Sequence, residues 1–158
     1  MTKATVYVSR SEEDTNRFAA LIAGLLKAGD VVFLKGPLGA GKTFFIRAAA
    51  RELGVLEPVT SPSFTMGQTY KGRLAIHHLD LYRLAAFTGE DLIDFEPFFS
   101  DDAITFIEWP KVAEHRLEAP VITVELKHLD EHSRRITVLG REPKVAVKLE
   151  ALLAGAGD

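Results

Sequence analysis

Apolar positions along the chain change period several times, and each change marks an element. Residues 4–8, Ala-Thr-Val-Tyr-Val, read as a first strand. The quartet Ser11-Glu12-Glu13-Asp14 resembles a capping box with Asp in the usual Glu position. Phe18, Leu21, Ile22, Leu25 and Leu26 then recur at helical spacing, which predicts one amphipathic helix ended by Gly29. Val31, Val32, Phe33 and Leu34 form a continuous apolar run, as in a parallel strand buried on both faces. From 44 to 53 the spacing is helical again: Phe45, Ile46, Ala49, Ala50 and Leu53 make the inner face, and Gly54 stands at the end.

Beyond residue 66 the pattern turns to strands. Residues 68–70 and 74–76, joined by a Lys71-Gly72-Arg73 turn, predict a hairpin whose second strand runs on to Asp80. An acidic, aromatic stretch from 84 to 102 predicts a short helix and loop. It reads either as a solvated face or as a docking surface for a partner. Residues 103–107 are a buried strand ending in Glu108. Residues 120–126 and 135–139 predict a late hairpin at the sheet edge, followed by an amphipathic helix over 142–153 and a frayed end at 154–158.

Between the strand at 31–34 and the helix at 44 lies Gly36-Pro37-Leu38-Gly39-Ala40-Gly41-Lys42-Thr43, which fits G-x-x-x-x-G-K-[ST] throughout. Glycines let the backbone curl round a phosphate with its N–H groups inward. Lys42 would reach the β- and γ-phosphates, and the Thr43 hydroxyl would ligate Mg2+. The helix after it would present unpaired N–H groups and a partial positive charge to the anion. Strand, loop and helix stand in the order this chemistry needs, so the chain is expected to bind a nucleoside triphosphate, with Gly36, Gly39, Ala40, Gly41, Lys42, Thr43 and Phe44 around it. The fold class that follows is α/β: a single P-loop NTPase-like domain over 1–158, three-layered, with a mixed sheet of parallel core and antiparallel hairpins.

Composition narrows the setting. The 158 residues are 47% hydrophobic and 26% charged, enough chain for one real core. Cysteine is absent, which removes disulfides, thiol catalysis and cysteine-held metals. No apolar run approaches the roughly 18 residues of a membrane span, and the first residues lack the apolar region of a signal peptide, so a cytoplasmic location is expected. A net charge of −3 speaks against a broad nucleic-acid-binding face of its own.

Two acids at strand ends, Asp80 and Glu108, are candidates to hold Mg2+ or orient water, and residue chemistry alone does not rank them. Residues 59–65 are dense in hydroxyls and broken by Pro62. The stretch reads either as a linker or as a nucleotide-sensing loop in which Ser61 and Ser63 approach the metal or the γ-phosphate. His77 and His78 face opposite sides of a strand, a poor paired metal site, and are read as structural. Trp109, the single tryptophan, reads as core or as a neighbour of the catalytic acid. The one asparagine is Asn16, ahead of the loop, so the guanine-reading N-K-x-D motif is missing and adenine follows by elimination. A small-molecule kinase stays open as an alternative, although arginines are few in the late chain.

The phosphate loop, Ser61-Pro62-Ser63-Phe64, His78-Leu79-Asp80-Leu81-Tyr82-Arg83-Leu84 and Ile107-Glu108-Trp109-Pro110 together resemble the TsaE (YjeE) family over about residues 10–140. The loop is generic; the H-x-D-x-Y-R and E-W elements are specific. The resemblance implies a small bacterial ATPase that supports threonylcarbamoyladenosine formation in tRNA beside the anticodon, acting with TsaD and TsaB. The tRNA would be met through that complex. It implies that Thr43 and Asp80 associate with Mg2+, that Lys42 holds phosphate oxygens, and that Glu108 holds the metal or positions water with Trp109 beside it. It also implies that Arg134 lies near the adenine or phosphates. Where the family usually has S-P-T-F, this chain has Ser63, which keeps the hydroxyl. Two functions are left open: a partner-activated ATPase with Lys42 and Glu108 as catalytic groups, or a nucleotide-dependent switch module in which hydrolysis is incidental.

Overall fold

The computed structural model describes residues 4–62, 65–141 and 143–156. In chain order the described elements are β1 (Ala4–Ser9), α1 (Glu12–Ala23), β2 (Val31–Lys35), α2 (Lys42–Glu52), β3 (Gly67–Lys71), β4 (Ala75–Asp80), α3 (Gly89–Phe95), β5 (Ala103–Glu108), β6 (Ile122–His128), β7 (Arg134–Gly140) and α4 (Pro143–Ala156). The strands form one sheet in the order β1-β7-β6-β2-β5-β4-β3. The four central strands β6, β2, β5 and β4 are parallel; β1·β7, β6·β7 and β3·β4 are antiparallel. This is the predicted mixed sheet, with β2 at its centre.

Side-chain alternation along β2 builds the two flanking layers. Val32 and Leu34 join a core with Phe18 and Ile22 of α1, Phe45 and Ile46 of α2, and Leu149 of α4. Phe33 points into a second cluster with Leu79, Ile107, Phe87 and Phe95. The aromatic residues of the acidic stretch therefore serve mainly as this second core. Phe98 and Phe99 are half-buried against it, while Leu92 and Ile93 stay exposed.

Three expectations need correction. First, α1 ends at Gly24: its N–H bonds Ala20 O, and Leu25 and Leu26 bond three residues back in a tightening turn. Gly29 instead serves the entry to β2, with φ +93 and its N–H on Ala103 O. Second, the late hairpin is interior, because β1 pairs along β7 from Ala4↔Leu139 to Ser9↔Arg134. Third, the capping box at α1 is half made. Ser11 Oγ accepts from Asp14 N, but the Asp14 carboxylate returns to Arg10 N. The predicted helix start at Glu142 lies outside the described residues.

Candidate functional site

The site gathers at the C-terminal ends of the parallel strands, where an open α/β sheet presents its ligand crevice. β2 delivers the chain to the loop at Gly36, whose φ is +147. A Cβ there would stand 2.4 Å from Leu126 O on β6, so only glycine fits. Gly41 (φ +103) then opens α2 without a side-chain cap, whereas Ser11 and Thr88 cap α1 and α3 with their hydroxyls. No acid lies in the first turn of α2, so its N–H groups and positive dipole end face the groove uncompensated.

That groove, ≈ 310 Å³, is lined by Gly39, Gly41, Lys42, Thr43 and Phe44 of the loop and helix. Asp80 and Glu108 at the ends of β4 and β5, with Ser61, Tyr82 and Trp109 from the segments beside them, close it. Lys42 Nζ donates to Gly36 O (2.5 Å) and Pro37 O (3.0 Å) and lies 3.9 Å from the centre of the Trp109 ring. Burial lowers its pKa from the ordinary lysine value, while the charges of Glu108 and then Asp80 act the other way. Trp109 is thus half-buried at the groove and not in the core. It adopts φ 56, a left-handed conformation that costs about 1–2 kcal/mol for a non-glycine residue. Its ring meets that of Tyr82 at 4.8 Å.

The two strand-end acids are in register across β4·β5, Asp80↔Glu108, but their surroundings differ. Glu108 is buried, and its Oε2 accepts from Thr43 Oγ1 (2.8 Å) and from His78 Nε2 (2.6 Å). Asp80 is half-buried; its Oδ2 accepts from Ser61 Oγ (3.2 Å) and its Oδ1 from Tyr82 N (3.0 Å). Of the hydroxyl-rich stretch, Ser61 therefore reaches the site, and Arg47 Nε fixes the approach by donating to Val59 O. Ser63 lies outside the described residues.

Arg134 opens β7 and donates from Nε to Ala40 O (3.2 Å), with Nη1 on carbonyls of the 130–133 turn. It lines a smaller cavity of ≈ 160 Å³ that shares Gly41 and Phe44 with the Lys42 groove. The neighbouring Arg135 is exposed. A larger cavity, ≈ 480 Å³, opens between α3 and the starts of β2 and β5, and none of the predicted site residues lines it.

Sequence reasoning missed three contacts. His78 touches Glu108, the Tyr82 ring meets Trp109 at a tilt, and His128 Nε2 donates to Gly39 O at 2.6 Å. The period-2 rule did carry a signal for the first, since it puts His78 and Asp80 on one face of β4. His77, on the other face, pairs with Thr69 Oγ1 and Ser100 Oγ.

A glycine loop closing on an uncapped helix, a buried lysine inside it and acids on two neighbouring strand ends define a P-loop NTPase-like α/β fold. Residues 9–136 match the model of the threonylcarbamoyl adenosine biosynthesis protein TsaE. The chain belongs to the TsaE family. It is 40% identical over 133 residues to the tRNA threonylcarbamoyladenosine biosynthesis protein TsaE of Treponema pallidum, covering 83% of this chain and 97% of that one. The Bacillus subtilis protein of the same description is 36% identical over 126 residues, covering 79% and 78%. Among solved structures, that of Bacillus subtilis YdiB superposes with a TM-score of 0.78 at 29% identity, covering 99% and 98% of the two chains. Membership places the chain in tRNA threonylcarbamoyladenosine biosynthesis. Among the described residues, no helix is long and apolar enough to cross a membrane.

Proposed function

We propose that the chain binds ATP with Mg2+ in the Lys42 groove and hydrolyses it in support of threonylcarbamoyl modification of tRNA, acting in the cytoplasm with TsaB and TsaD. The observation that carries this reading is the Thr43–Glu108 hydrogen bond. A hydroxyl has one hydrogen and two lone pairs. By giving its hydrogen to Glu108, Thr43 keeps its lone pairs for a cation. Thr43, Glu108 and Asp80 supply only hard oxygen donors, which fits Mg2+. Among the described residues no group of three acids or histidines gathers, which suits a metal completed by phosphates and water. When bound, Mg2+ would neutralise charge on the phosphate oxygens.

The protein's own groups do the rest. Loop N–H groups and the α2 terminus hold the phosphates, and Lys42 leaves the Gly36 and Pro37 carbonyls for phosphate oxygens. With Glu108 Oε2 already engaged twice, the more open Asp80 is the better placed of the two to order water at the mouth. Water oxygen bonds to the γ-phosphorus as the bond to the β-bridging oxygen breaks and one water proton passes to solvent, giving ADP and hydrogen phosphate. The Arg134 cavity adjoins the loop at Ala40 and Gly41 and would take the adenosine end. No arginine side chain lines the Lys42 groove among the described residues, so a group from TsaB or TsaD would complete the charge neutralisation.

Phosphate release from ATP, measured for the protein alone and with TsaB and TsaD, tests this. A slow basal rate that rises several-fold with the partners and vanishes in Lys42→Ala is the expected result. ATP binding without any rise would overturn partner activation and favour a switch module.

A further inference from the structure

We propose that His78 is a positioning residue for the Glu108–Thr43 pair: it fixes the carboxylate that aims the Thr43 hydroxyl. This inference rests on the nucleotide reading above and assigns that site a third, hidden layer.

His78 is fully buried in the middle of β4, and a hydrogen bond runs from its Nε2 to Glu108 Oε2 at 2.6 Å. Its other nitrogen, Nδ1, is buried and has no hydrogen-bond partner among the described residues. Burying an imidazole with one nitrogen unsatisfied is unfavourable, and an apolar side chain would fill the same space without that penalty. Packing therefore does not account for a histidine here. His77 makes the contrast, since both of its ring nitrogens are partnered and neither partner lies in the groove. What His78 adds is direction. An ionised carboxylate only accepts, so Nε2 carries the hydrogen. With Thr43 and His78 both donating to Oε2, that oxygen is held by two side chains from two different elements. Without His78, the Glu108 carboxylate would lose one of its two side-chain donors, and the Thr43 lone pairs would lose a fixed aim. Hydrogen bonds behind a metal-binding group act in this way, and their loss lowers metal affinity or activity about 10–100-fold.

The test compares His78→Gln, whose amide N–H reaches close to the Nε2 position, with His78→Asn, whose shorter amide does not. Thermal unfolding first establishes that each is folded. Steady-state kinetics then give kcat and the Mg2+ concentration for half-maximal rate. Affinity for a fluorescent ATP analogue is measured with and without Mg2+. His78→Asn should lower kcat about 10–100-fold and raise the Mg2+ requirement, with Mg2+-free analogue affinity within about twofold of the parent. His78→Gln should recover kcat to within about threefold. Equal behaviour of the two variants, or loss of Mg2+-free affinity in step with kcat, would overturn the proposal. If the asparagine variant does not fold, His78→Phe takes its place as the ring without a donor. Should the parent protein release no phosphate, the hydrolysis reading falls, and the Mg2+-dependent gain in analogue affinity alone decides the role of His78.

Discussion

The ends of β5 and β4 carry acids in the same register, yet one is built as a fixture and the other as a mouth. Glu108 lies inside the protein between a helix residue and a strand residue, and both of its donors are side chains held by regular structure. Asp80 lies half-open, bound by Ser61 from an irregular segment and by the backbone of Tyr82. Equal chemistry at equal register thus becomes two different tools through the number and stiffness of the donors. A buried acid with two fixed partners can hold a geometry. An open one with a loop partner can follow a ligand.

The largest expected effect comes from the buried end. Glu108→Gln should lower kcat about 10²–10³-fold, the scale of losing a preorganised polar group at a reacting centre. Glu108→Ala, which leaves Thr43 and His78 without their acceptor, should lower unfolding free energy in urea by about 1–3 kcal/mol. Asp80→Asn should cost activity on the order of tenfold, mainly as a raised Mg2+ requirement, while stability stays within about 0.5 kcal/mol. Equal destabilisation by Glu108→Ala and Asp80→Asn would erase the distinction. Ser61→Ala should lower the rate by about threefold or less and leave unfolding unchanged.

The smallest effect is electrostatic. Burial already lowers the Lys42 pKa, and Glu108 opposes this more than Asp80 does. NMR titration of the Lys42 ε-methylene should therefore show a further fall in both amide variants, larger in Glu108→Gln than in Asp80→Asn. The linked stability has a definite sign. With a folded pKa below the unfolded value of 10.5, the unfolded chain binds more protons between the two. The contribution of Lys42 is thus unfavourable at and below its folded pKa and is relieved as pH rises towards 10.5. Urea unfolding of the parent and Lys42→Met across that range should show the parent gaining relative to the variant.

Local patterns made much of this readable in advance. The glycine spacing, the apolar run before it and the acids closing β4 and β5 are all short-range signals, and each fell where the structure has it. What escaped depends on how distant strands are set side by side. His78 reaches Glu108 only because β4 and β5 pair in one particular register. The late hairpin became interior because β1 returns to cover it. Trp109, left open between the core and the neighbourhood of the acid, stands at the groove through a left-handed turn. Arg134 was picked out by the family resemblance, but its bond to the loop carbonyl of Ala40 joins residues 94 apart.

The place of β2 has a consequence for how the protein comes into being. Its two neighbours, β5 and β6, begin only at Ala103 and Ile122, so the strand that delivers the phosphate loop is among the first made and the last to be enclosed. Contacts of such long sequence separation must meet the entropy of closing large loops before any return, which slows folding. On the ribosome, a chain that has emerged only as far as α3 would carry its complete glycine motif on an unpaired strand. The groove beside the glycine motif is therefore completed late, as a property of the finished sheet.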